Sequence, residues 1–137
     1  MGKIISYIYR YQRIFLDREL EPYGIGSGQF SFMMSLLKKE GVRQEDLARK
    51  YKMDKATAAR ATKKLESTGY AYRQQDPGDK RAYRVFVTKK GRSLEEKMMK
   101  IALKWDTTVF SGFSKEEKQL QTAFLERMEQ NVSGIYE

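Results

Sequence analysis

Residues 43–91, RQEDLARKYKMDKATAARATKKLESTGYAYRQQDPGDKRAYRVFVTKKG, constrain the fold more than any other part of the chain. They carry two short helical patterns and then two extended ones, with turn residues at the junctions. Leu47, Ala48 and Tyr51 set up a first helix over residues 44–50. Lys52-Met53-Asp54 interrupts it, and Asp54 suits a helix cap, because its carboxylate can accept from first-turn amides that have no partner in the helix. The second helix is expected over residues 55–68, ending at Gly69, which tolerates the left-handed backbone common after a helix. Two β-prone runs follow, residues 70–75 and 82–88, joined by Asp76-Pro77-Gly78-Asp79. Proline followed by glycine at the centre of that turn predicts type II geometry. In the second run Tyr83, Val85 and Val87 share one face, and Arg84, Phe86 and Thr88 the other.

Helix, turn, helix and a hairpin tipped with Lys80 and Arg81 make a winged helix-turn-helix. Charge singles out the same stretch. The chain has 27 basic and 18 acidic residues, and residues 43–92 alone contain 15 basic and 6 acidic ones, so the whole excess of +9 lies there. The flanks cancel, at +2 for residues 1–42 and −2 for residues 93–137. A positive excess confined to one structural unit is the electrostatic footprint of a polyanion partner, and double-stranded DNA is the expected one. A solvated basic face on an unrelated domain is the plainer alternative; the coincidence of charge, turn chemistry and caps weighs against it.

At these residues the chain resembles the MarR family (multiple antibiotic resistance regulators). The matching pieces are Gln44 with Leu47-Ala48, Thr57 with Arg60, Leu65-Glu66, Gly69 with Arg73, Asp79-Lys80-Arg81, and Thr88 with Gly91. Each is weak alone; the ordered set, with Asp-x-Arg on the wing and Thr-x-x-Gly closing it, is specific. The resemblance implies a homodimeric, sequence-specific transcriptional regulator, repressors included, acting on a pseudo-palindromic operator. It also implies an arginine, here Arg81, that enters the minor groove while Asp79 helps to hold its side chain. Release by a small aromatic ligand between the dimer helices and the winged unit is implied as well. The chain departs from the family at Arg43, where many members carry a Ser or Thr helix cap. Ala56, Ala59 and Ala61 also replace residues that are often polar or bulkier, leaving fewer side chains to read bases.

The flanks read as helices. Ile4, Ile8, Tyr11 and Phe15 recur at helical spacing over residues 3–20, with Ile5, Tyr7, Ile14 and Leu16 widening the apolar face. Pro22 and the glycines at 24, 26 and 28 end that helix. Ser27 can cap the next, residues 28–39, whose Phe30, Met33, Met34 and Leu37 are expected to face inward. One long helix is expected over residues 92–110, striped by Leu94, Met98, Ile101, Trp105 and Thr108. Ser114 with Glu117 then forms a capping box. It opens a last helix carrying Leu120, Phe124, Leu125, Met128 and Val132, with fraying near Gly134. The expected fold class is therefore mainly α (α+β), with a two-stranded hairpin wing. The resemblance implies one MarR-like domain over residues 1–137, with a winged unit at 28–91 and dimerisation helices at 1–22 and 92–137.

Cysteine and histidine are both absent. That closes off disulfides, thiol sensing, the common zinc sites and Ser-His or Cys-His catalysis. Glu45, Asp46, Glu116 and Glu117 sit at helix starts, where they answer the helix dipole rather than suggest an enzyme. No metal or cofactor is expected. Neither a run of ~18 apolar residues nor a secretory leader pattern is apparent, so the expected location is cytoplasmic. Candidate DNA contacts are Lys55, Thr57, Arg60, Lys63 and Lys64 on the second helix of the pair, and Arg73, Asp79, Lys80, Arg81 and Arg84 on the wing. A winged-helix module for non-specific nucleic-acid or protein binding is the competing function.

Overall fold

The structure is a computed structural model describing residues 1–136. Helices α1 (Gly2–Leu20) and α2 (Ser27–Lys38) precede a short strand β1 (Val42–Arg43), followed by α3 (Gln44–Lys50) and α4 (Lys55–Ser67). Strands β2 (Ala71–Asp76) and β3 (Asp79–Val87) form the hairpin, and α5 (Lys89–Arg92), α6 (Glu95–Val109) and α7 (Lys115–Tyr136) complete the chain. Two compact units result, Met1–Ala102 and a second from Leu103 onward.

The core of the first unit lies among α2, α3, α4 and the inner face of the hairpin. Phe32, Met33, Leu36, Leu65, Val85 and Met98 are fully buried there. On α2 the sequence pattern located Met33 and Leu37 correctly, but Phe32 and Leu36 are buried more deeply than Phe30 and Met34. Ser27 is the first helical residue rather than the cap: Gly26 takes the cap position, and the Ser27 amide donates to Asp17 Oδ1 of α1 at 2.7 Å. A carboxylate from the preceding helix thus does what a local hydroxyl was expected to do.

The wing is not a bare two-stranded hairpin. β1 joins it, giving an antiparallel sheet of order β1-β3-β2 with Val42 opposite Val85 and Arg43 opposite Arg84. The connecting turn is not type II either. Gly78 is absent from the glycines with left-handed backbone. Asp76 instead accepts from the Gly78 amide at 2.8 Å, and this side-chain turn removes the need for a positive φ.

The expected helix over residues 92–110 is α6, which begins at Glu95 and is preceded by the separate short helix α5. Thr88 caps α5 by accepting from the Gly91 amide at 3.0 Å, and the Ser93 hydroxyl donates to the Lys90 carbonyl at 2.6 Å. These local bonds close a single turn at Ser93-Leu94 before α6 begins. In the second unit the Ser114–Glu117 capping box is present in both directions, at 2.8 and 3.1 Å. α7 continues through Gly134 to Tyr136.

Candidate nucleic-acid interface

Helix α4 is held at both ends. At its start, Asp54 accepts from the Thr57 amide at 2.6 Å. That hydrogen bond, with help from the Thr57 hydroxyl, keeps the Asp54 carboxyl below the usual carboxylate range. At its end, Gly69 adopts a φ of 81°. The Gly69 amide donates to the Glu66 carbonyl and the Tyr70 amide to the Leu65 carbonyl, both at 2.9 Å, which is the Schellman pattern. The Thr88 hydroxyl then donates to the Gly69 carbonyl at 2.6 Å, and Lys90 Nζ to the Thr68 carbonyl at 2.8 Å. The segment after the wing therefore fastens the helix before it.

Ala58, Ala61, Thr62 and Leu65 form the inner side of α4. Ala61 is thus a packing residue and not a vacant base-reading position, whereas Ala56 is exposed. Lys55, Arg60, Lys63 and Lys64 are exposed on the outer side and Thr57 is half-buried. Arg60 donates to the Thr57 hydroxyl at 3.1 Å, so the two are presented together. Across an open cleft, lined among others by Lys55 and Ala58 of α4 and Gln44 and Ala48 of α3, stand Arg81 and Tyr83 of β3.

The wing candidates divide into two groups. Lys80 and Arg81 are exposed at the tip, and among the described residues neither side chain has an ion-pair partner. Asp79 holds the backbone of Arg81, accepting from its amide at 2.9 Å, rather than the guanidinium. Arg73 and Arg84 are already engaged. Arg73 pairs with Glu66 at 2.7 Å and lies over the Tyr83 ring, while Arg84 pairs with Asp76 at 2.7 Å and donates to the Gly41 carbonyl at 2.8 Å. Their charge remains near the surface, but their geometry is committed to the protein.

A helix with an exposed cationic outer face, beside a hairpin with a free arginine at its tip, is the arrangement of a winged-helix reader. The MarR family profile matches residues 25–83. YybA of Bacillus subtilis (strain 168), named as an HTH-type transcriptional regulator, is 31% identical over 87% of this chain and 79% of its own length. A MarR transcriptional regulator from Methanosarcina mazei Go1 is 48% identical, covers 98% of this chain and 96% of its own, and superposes with a TM-score of 0.92. The chain belongs to the MarR family. A further solved member of that family, from Listeria monocytogenes and complexed with 26mer DNA, is 25% identical with a TM-score of 0.92 over 99% of this chain and 91% of its own.

Asp76 is the residue of this MarR-family wing that sequence reasoning passed over as part of a turn. It is buried, and one carboxylate accepts from the Gly78 amide and from Arg43 Nε at 3.0 Å and ion-pairs with Arg84 Nε at 2.7 Å. The available signal was the pair of arginines at 43 and 84, which only pairing with β1 brings together. The Gly78 hydrogen bond, reinforced by Arg43 and Arg84 and opposed by desolvation, holds the Asp76 carboxyl below the usual range. A folded-state pKa below the unfolded value stabilises the fold above the ordinary carboxylate range, and that contribution disappears as pH falls through it. Asp76→Asn should therefore lower the thermal midpoint at neutral pH, and the gap from the parent should narrow between pH ~5 and pH ~3. Circular dichroism melts across that range would contradict this assignment if the gap stayed constant.

Proposed function

We propose that the protein is a homodimeric, sequence-specific DNA-binding transcriptional regulator in which α4 enters the major groove and the wing tip the adjacent minor groove. The observation that carries this is the capped, outwardly cationic α4 beside an unpaired Arg81. Lys55, Thr57 and Arg60 lie at the N-terminal half of α4, where a groove-bound helix meets base edges, and Lys63 and Lys64 lie nearer the backbone. Lys80 adds charge at the wing. Arg73 and Arg84 support the hairpin and contribute field rather than a free contact.

Dimerisation rests on apolar surface that each unit leaves uncovered. On α1, Ile4 is 63% and Tyr11 67% exposed, and only Leu16 and Leu20 are buried. On α7, Leu120 is 56% and Phe124 53% exposed. Faces of this size normally mark a subunit interface. Sedimentation at micromolar concentration should give a particle of twice the 16.1 kDa chain mass. A monomer at that concentration would contradict the dimer.

Competition separates a regulator from a purely electrostatic binder. A duplex selected by the protein from a random pool should resist competition by random duplex at moderate salt, because specific contacts survive when counterion release is suppressed. Equal competition would favour the non-specific module. Arg60→Ala should weaken binding to the selected duplex by roughly 1–3 kcal/mol if Arg60 reads a base, and unchanged binding in a titration would remove Arg60 from the interface. With no cysteine in the chain, any inducer acts by binding, through unequal affinity for DNA-competent and DNA-incompetent dimers. The exposed aromatic residues Tyr7, Tyr9 and Tyr11 of α1 are compatible with a small aromatic inducer.

A further inference from the structure

We propose that Arg43 is a wing-positioning residue, which together with Arg84 grips Asp76 and so sets where Arg81 stands relative to α4. This rests on the DNA-binding reading above and assigns part of that affinity to a residue that touches no DNA.

Arg43 and Arg84 are directly opposed partners across β1 and β3. Like charges directly opposite on a sheet repel, so the pair is tolerable only with an anion between them. Asp76 is that anion: Oδ2 accepts from Arg43 Nε at 3.0 Å and lies 2.7 Å from Arg84 Nε in an ion pair, while Oδ1 accepts from the Gly78 amide at 2.8 Å. Arg43 also reaches Glu45 Oε1 at 3.4 Å, and Arg84 the Gly41 carbonyl at 2.8 Å. One side-chain cluster therefore joins the turn of the wing, the middle of β3, the end of β1 and the first turn of α3.

Its position gives it leverage. Arg43 is the last residue of β1, so beyond the Arg43–Arg84 pair the sheet is only two strands wide. A two-stranded ribbon is marginally stable by itself. The register also shifts between Gln75 and Asp76, which weakens the ladder where the ribbon is narrowest. Arg81 lies three residues beyond Arg84 on the same strand, about 10 Å away along it. With the clamp released, the tip keeps its turn but loses its tether to the helical pair. Arg43 occupies the N-cap position of α3 with extended backbone and makes no side-chain cap bond. The chain thus forgoes a helix cap and gains an arm that reaches the wing.

Arg43→Ser tests this, because serine can restore the cap while removing the arm. The thermal midpoint should stay near that of the parent. Amide exchange over residues 74–81 should speed up, and affinity for the duplex selected by the parent from a random pool should fall at least ~5-fold, the low end of an allosteric-scale coupling. In an Arg81→Ala background, Arg43→Ser should change affinity by less than about twofold, because its effect passes through Arg81. Asp76→Asn, which keeps the side-chain shape, should reproduce both the exchange and the affinity changes and serves if Arg43→Ser folds poorly. Full affinity in Arg43→Ser and Asp76→Asn would overturn the proposal. So would a penalty that multiplies undiminished with Arg81→Ala and lowers the salt slope by about one unit, since that identifies a direct phosphate contact. A parent that binds no duplex would instead remove the DNA-binding reading itself, and this proposal with it.

Discussion

Gly91→Ala should destabilise the protein by about 3 kcal/mol or more, the upper end for overpacking a closed site. A β-carbon at Gly91 would lie 2.2 Å from the Tyr70 carbonyl oxygen, 2.7 Å from Val87 Cγ1 and 3.1 Å from Met33 Cε. The first of these cannot yield cheaply. The Tyr70 carbonyl accepts from the Thr88 amide at 3.0 Å, and the Thr88 hydroxyl in turn holds the Gly69 carbonyl at the end of α4. Moving α5 away to make room would pull on the fastening of α4, so steric relief and helix anchoring oppose each other. Thermal denaturation of Gly91→Ala should show a midpoint lower by roughly 10 °C. A midpoint within ~2 °C of the parent would mean that the α5 turn yields freely. The glycine of the Thr-x-x-Gly motif is thus required by close approach, not by left-handed backbone.

Arg81→Ala should weaken DNA binding strongly at little cost to the fold. Its guanidinium has no ion-pair partner among the described residues, so its removal leaves no buried charge behind. In a narrow A·T-rich minor groove negative potential is concentrated, and losing a guanidinium there should cost roughly 1–3 kcal/mol of binding. The salt slope should fall by about one unit if a phosphate contact goes with it. Asp79→Ala should weaken binding less, since Asp79 fixes the Arg81 backbone through one amide hydrogen bond. Fluorescence anisotropy over a salt series measures all of this. Equal affinity of Arg81→Ala and parent at every salt concentration would reduce the wing tip to an ordinary solvated turn, where an ion pair contributes about 0–1 kcal/mol.

Local chemistry made much of this molecule legible before any coordinates. Asp54 as a cap, Gly69 as a helix terminator and the Ser114–Glu117 box each depend on atoms within a few residues, and each is found where the residue pattern put it. The confinement of positive charge to residues 43–92 is likewise a property of the linear sequence, and the family follows from an ordered set of motifs.

Only tertiary structure decided which charged groups remain free. Arg73, Arg81 and Arg84 look alike in the sequence, yet Glu66 and Asp76 engage two of them and leave the third exposed. That sorting depends on the packing of β2 against α4 for Arg73 and on the meeting of β3 with the turn at Asp76 for Arg84, and local propensity encodes neither. Pairing of β1 with β3 made Val42-Arg43 a third strand and Asp76 a buried anchor rather than a turn residue. Distant partners also replaced local ones at Ser27, where a carboxylate from α1 reaches the first turn of α2. The sequence by itself determined where helices and turns begin and what kind of partner the charge attracts. The packing of elements far apart in the chain determined which side chains are left to meet that partner, because a salt bridge needs two groups within a few ångströms and only the folded chain brings them there.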